Sequence, residues 1–208
     1  MPSFRGLTDG DKAQVDSLKL YGVRSCNIMG LLMGQKGEEN LENLFWCDGT
    51  SRLDYQAFGD VIVFDSTYKK NKYNKPVVIF SGYNHHKETT IFACALVCDE
   101  TIETYKWVLK ALDEAMFGKQ PKAVVTDGDK SMREAVKVVF PNATHRLCGW
   151  HIQQNCLEKI KIPDFLNEFK TLIYGNFTPE RFETKWLQVI EKYGIGEEKW
   201  IKQTYETR

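Results

Sequence analysis

The chain lacks a surplus of charge, a paired-cysteine motif and a long apolar run. Lys and Arg number 28 against 28 Asp and Glu, so no global field draws it to nucleic acid or to a membrane surface. Any contact with a polyanion has to come from a local patch. No apolar stretch approaches the roughly 20 residues that span a bilayer, so no membrane association is expected. The opening MPSFRGLTDGDK has no apolar segment of the kind a secretory signal carries. The six cysteines, at 26, 47, 94, 98, 148 and 156, include no Cys-x-x-Cys pair. Without a signal they read as reduced thiols of the cytosol or nucleus, with Cys94 and Cys98 as core residues of IFACALVC. There is no internal repeat and no low-complexity segment. At 208 residues, 42% of them hydrophobic, the chain can bury a core as one domain with a small appendage.

What the chain does have is VIVFDSTYKK at 61–70, an apolar run that delivers Asp65 and then turns polar. AVVTDGD at 123–129 repeats the design with Asp127. Around these runs the pattern predicts strands at about 61–66, 77–83 and 89–97, joined by short loops as an antiparallel meander. Thr101 or Asp99 caps a helix over Ile102 to Phe117, and a short strand follows at Ala123 to Thr126. A helix over Lys130 to Phe140 and a short strand at Ala143 to Leu147 come next. From Gly149 the chain reads as helical, with Thr178-Pro179 starting the helix that Gly194 ends. Upstream, Leu44 to Thr50 reads as a strand running into an Asp-Gly turn, and Asp54 to Gly59 as one helical turn. Residues 1–40 read as two short helical segments, Asp9 to Leu20 and Cys26 to Met33, with a polar loop after them. The order of elements predicts an α/β (α+β) fold: a ribonuclease-H-like mixed sheet with flanking helices, followed by a helical C-terminal segment. In that arrangement the first strand is central and lies beside the fourth, which would bring Asp65 and Asp127 together.

Two carboxylates at adjacent strand ends suit a hard cation, Mg²⁺ or Mn²⁺, with water and phosphate oxygens completing the octahedron. Two-metal phosphoryl transfer needs a further acid. The plainer reading is that strands end in Asp because Asp favours turns, Asp127-Gly128 being itself a turn dipeptide. Cys148-Gly149-Trp150-His151 is the second constellation. Zinc accepts both ligand types but needs two more. Only His145 and Cys156 are close in sequence, so zinc is not expected here and a packing or hydrogen-bonding role is. Lys69, Lys70 and Lys72 are candidate phosphate contacts, against the plainer reading of a solvated loop. His85-His86 reads as a surface turn.

The stretch from Phe45 to Leu109, with VVTDGDKSM and HRLCGWHIQQN, resembles the Mutator-like transposase domain of the plant far-red-impaired-response and far-red-elongated-hypocotyl related family. These are transcription regulators domesticated from transposases. The resemblance divides the chain into a linker at 1–40, the transposase domain at 41–160 and an incomplete helical extension at 161–208. It implies nuclear location and a role in transcription. It makes Asp65 and Asp127 the first two acids of an ancestral triad, and Cys148 and His151 the family's Cys-x-x-His signature. The third acid belongs to a Ser-Glu-Ser-x-Asn-like motif that is not found before Arg208, and Glu183 and Glu191 lack its context. The family's zinc-binding DNA-recognition domain and SWIM-type zinc finger are not found either, and Gly34 to Leu44 is shortened. The expectation is a truncated, non-catalytic regulator acting through protein association or weak DNA contact. The alternatives are a metal-dependent transposase or nuclease, and a module that forms homo- or heterodimers with relatives and interferes with them.

Overall fold

Alternation of side chains builds the sheet. In β3 (Val61–Thr67) Ile62 and Phe64 are fully buried, while Val61, Val63 and Asp65 on the other face are more accessible. The computed structural model describes residues 32–34, 43–67 and 75–206. Its other strands are β1 (Leu32–Gly34), β2 (Asn43–Trp46), β4 (Val77–Tyr83), β5 (Thr89–Leu96), β6 (Ala123–Thr126) and β7 (Thr144–Leu147). They form one seven-stranded sheet in the order β1-β2-β5-β4-β3-β6-β7. β3, β4 and β5 pair antiparallel, and β6 pairs parallel to β3. The first strand of the meander therefore sits beside the fourth. This is the ribonuclease-H-like mixed sheet that the order of elements predicts.

Three helices accompany the sheet: α1 (Gly49–Phe58), α2 (Ile102–Ala115) and α3 (Lys130–Val139). The apolar stripe of α2, with Tyr105, Val108, Leu109 and Leu112, joins Met132, Ala135 and Val136 of α3 and Ile62, Phe64, Val78, Phe80 and Val124 of the sheet in one core. Each such fully buried side chain contributes about 1.5–3 kcal/mol. The start of α2 is tied down by a small network. Asp99 Oδ1 accepts from the Thr101 amide at 3.1 Å and the Thr104 hydroxyl at 2.5 Å, and Thr101 Oγ1 accepts from the Thr104 amide at 3.3 Å. The β4–β5 hairpin closes on Asn84, whose Oδ1 accepts the amides of His86 and Glu88 at 2.9 and 3.0 Å.

The structure differs from expectation in three places. Leu32–Gly34, expected at the end of a helical segment, pairs antiparallel with β2 as a strand; the rest of 1–40 lies outside the described residues. The expected single turn before β3 is a ten-residue helix. Asp48 forms a helix cap there rather than a turn, its Oδ1 accepting from the Ser51 amide at 2.6 Å. Cys94 is buried as expected, but Cys98 is exposed, because β5 ends at Leu96 and the chain bends away.

The chain divides into two compact units, the first ending at His145 and the second beginning at Arg146. In the second unit α4 (Gly149–Lys159) supplies Cys156 to a separate core, and Ile160 follows it there. The second unit continues with α5 (Pro163–Tyr174), α6 (Pro179–Tyr193) and α7 (Lys199–Glu206). Phe165, Phe169, Trp186, Ile190 and Ile201 are buried together, as their helical spacing predicts. Gly194, at φ 63°, ends α6 in the left-handed conformation. Among the described residues no helix is long and apolar enough to cross a membrane.

Candidate functional site: an acidic pair in register

The parallel ladder between β3 and β6 runs Val61 with Ala123, Ile62 with Val124 and Val63 with Val125. Carried two residues further, just past the end of β6 at Thr126, the same register would set Asp65 level with Asp127. Adjacent strands lie about 4.8 Å apart, so two carboxylates on one face at one level are within reach of a single cation. Both residues are partly accessible and fall on the face opposite Ile62, Phe64, Val124 and Thr126. As a donor set, two hard carboxylate oxygens fit Mg²⁺ or Mn²⁺. Asp65 and Asp127 are the residues that would hold the ion. A divalent cation there would supply charge for binding phosphate oxygens.

The turn after β6 fixes the second carboxylate. Asp127 Oδ1 accepts the Asp129 amide at 2.9 Å, closing an Asx turn over Gly128. Gly128 has φ 100°, a conformation that a side chain would strain. Asp129 Oδ1 then accepts the Met132 amide at 2.9 Å and caps α3. Behind the turn, Thr126 is fully buried; its Oγ1 accepts the Gly128 amide at 3.3 Å and lies 2.9 Å from His145 Nε2 on β7. On this same inner face Ser66 and Tyr105 donate to Glu100 Oε1 at 2.8 and 3.1 Å. Burial raises the Tyr105 pKa well above the usual tyrosine range, and the negative charges of Glu100 and Asp129 push the same way.

Sequence reasoning missed Glu100 and the Thr126–His145 contact. Nothing local marks Glu100. Thr126 carried a signal, since it is the polar residue on the buried phase of AVVT.

The second constellation belongs to the second unit. Cys148 is the cap residue of α4 and makes no side-chain cap bond. His151 stands in the first turn with its ring edge-on to Trp150, centroids 4.8 Å apart. Both additional ligands that a zinc site might have drawn on are engaged elsewhere. His145 contacts Thr126, and Cys156 is buried in the helical core, which raises its thiol pKa to about 11. Among the described residues no group of three or more His, Cys, Asp and Glu is arranged to hold a metal ion. Of the acids weighed for a third arm, Glu183 accepts the Tyr205 hydroxyl and Glu191 is exposed at the end of α6. Lys69, Lys70 and Lys72 lie outside the described residues.

Residues 61–155, which contain both acids and the Cys-x-x-His signature, match the MULE transposase domain. Protein FAR-RED IMPAIRED RESPONSE 1 of Arabidopsis thaliana is 35% identical over 176 residues, 82% of this chain. From the same plant, Protein FAR1-RELATED SEQUENCE 5 is 32% identical over 93% of the chain. Protein FAR1-RELATED SEQUENCE 6 is 34% identical over 100% of it. The chain belongs to the FAR1-related family. It spans 21%, 25% and 30% of the lengths of those three relatives. Among solved structures, the HTLV-2 integrase catalytic core domain in complex with magnesium matches 62% of this chain and 81% of its own. That match has 17% identity and a TM-score of 0.29.

Proposed function

We propose that this FAR1-related chain is the transposase-derived part of a nuclear regulator of DNA-templated transcription. It acts through association with relatives or weak DNA contact rather than by cutting strands. The observation that carries the reading is the geometry of the acidic pair. The β3–β6 register, extended past Val63 and Val125, sets Asp65 level with Asp127, and Asp127 Oδ1 already accepts the Asp129 amide. Two carboxylates suffice for one weakly held Mg²⁺ or Mn²⁺; they fall short of the ligand set for two ions about 4 Å apart.

Calorimetric titration with Mn²⁺, run beside a supercoiled-plasmid nicking assay, tests this. The expected result is one weak site, removed by Asp65→Asn, and no nicking. Two coupled sites with Mn²⁺-dependent nicks that vanish in Asp65→Asn would overturn it. That outcome is what the second reading, metal-dependent phosphoryl transfer, requires, and the shared level of the two acids is the observation in its favour.

A further inference from the structure

We propose that Thr126 and His145 form a positioning bracket that sets the aim of Asp127, and through it the divalent-cation affinity of the Asp65–Asp127 pair. The proposal rests on the reading that this pair holds a cation.

Thr126 is the polar anomaly of β6. It occupies the inward phase of β6, where Val124 is the other inward residue, and it has no exposed surface. A valine would fill the same space without a hydroxyl to satisfy. Burying a hydroxyl without partners costs about 1–3 kcal/mol, so its presence calls for partners that use it. It has two, on two different elements. The Gly128 amide donates to Oγ1 at 3.3 Å, and His145 Nε2 lies 2.9 Å away on the neighbouring strand β7.

The two partners tie down the residue that precedes Asp127. Gly128 is the next residue, and its amide is the first peptide group after the carboxylate-bearing Cα. The following amide, that of Asp129, is held by Asp127 Oδ1 itself. Thus Thr126 fixes the turn from the inner face while Asp127 fixes it from the outer face, with the left-handed Gly128 between them. Oδ1 is oriented by the turn, which fixes the plane of the Asp127 carboxylate. His145 anchors the hydroxyl from the next strand, so the aim of Asp127 is referred to the sheet rather than to a free loop. Groups one step behind a metal ligand characteristically alter affinity 10- to 100-fold by holding that ligand in place. Thr126 and His145 would stand one step behind Asp127 in this way.

The test uses the full chain and Mn²⁺ alone, with binding read by electron paramagnetic resonance of free Mn²⁺. Thr126→Val keeps the shape and removes the hydroxyl, Thr126→Ser keeps the hydroxyl, and His145→Gln keeps a polar group on β7. Thermal melts of each variant show whether the fold is retained. The expected result is Mn²⁺ binding weakened ~10-fold or more in Thr126→Val, a smaller loss in His145→Gln, and recovery in Thr126→Ser. A purely structural role for the hydroxyl would lower the melting temperature and leave the affinity of the folded protein unchanged; that overturns the bracket and leaves the cation reading standing. Absence from the wild-type chain of any Mn²⁺ site sensitive to Asp127→Asn would overturn the cation reading, and the bracket with it.

Discussion

Tyr55 and Lys119 hold each other's backbone. The Tyr55 hydroxyl donates to the Lys119 carbonyl at 3.1 Å, and Lys119 Nζ donates to the carbonyls of Tyr55 and Gln56 at 3.2 and 2.7 Å. The last carbonyls of a helix have no partner within it, and here a lysine 64 positions away from Tyr55 supplies one. Lys119→Met keeps the aliphatic stem and removes the donor. It is expected to destabilise the first unit by about 1 kcal/mol, read as a lower urea midpoint with an unchanged slope. An unchanged midpoint would show that water replaces the lysine without loss.

Alkali should unfold the first unit through its buried tyrosines. Burial, chiefly, raises the pKa of both Tyr55 and Tyr105. The folded chain therefore keeps protons that the unfolded chain releases above the ordinary tyrosine value of about 10. By linkage, this contribution is intact below that pH and declines as pH rises beyond it. Urea midpoints measured from pH 8 to 11.5 should fall less steeply in Tyr55→Phe and Tyr105→Phe. Superimposable curves for the variants and the wild type would contradict the assignment.

At the acid end the sign reverses. The Thr104 hydroxyl bond, followed by bonds from Thr101, holds the Asp99 carboxyl below its usual range, with burial opposing. Its contribution is present above the ordinary carboxylate value of about 4 and is lost as pH falls through the lowered folded value. Asp99→Asn retains an accepting oxygen and removes the titration. It should flatten the loss of stability below pH 4, as followed by helix ellipticity.

A close approach at the β-bulge gives a packing test. A Cβ on Gly82 would lie 2.6 Å from the Phe92 ring, and that ring is fully buried in the core beside the Phe80/Ser81 register shift. Gly82→Ala is expected to cost about 1–3 kcal/mol. Phe92→Leu in the same chain should recover part of it. Strict additivity of the two changes would mean that the clash is relieved elsewhere.

Strands β3 to β6 and helices α2 and α3 were legible because each announces itself within its own window. Inward residues alternate in VIVF and VVIF, and Asp99 and Thr101 precede an apolar stripe at three- and four-residue steps. The helices of the second unit were legible for the same reason, Thr178-Pro179 and Gly194 marking both ends of α6. The misses are of another kind. β1 has three residues, and its evidence is a pairing partner eleven or so positions away, invisible to any local period. Asp48-Gly49 suits a turn and a helix cap equally well, and the Ser51 amide decides between them. At the acidic pair, sequence supplied the two carboxylates, while their level came only with the strand offset. The Thr126–His145 contact needed β7 to lie beside β6, which no spacing in the chain states.

That offset has an evolutionary consequence. Side chains alternate along β3 and β6, so a one-residue insertion or deletion upstream in either strand would turn Ile62 or Val124 outward and drive an aspartate into the apolar core. Any lineage that keeps this core therefore keeps both carboxyl positions on the outer face, whether or not chemistry is still selected. The pair can be erased by substitution, one residue at a time, but a one-residue slip cannot move it without disturbing the core.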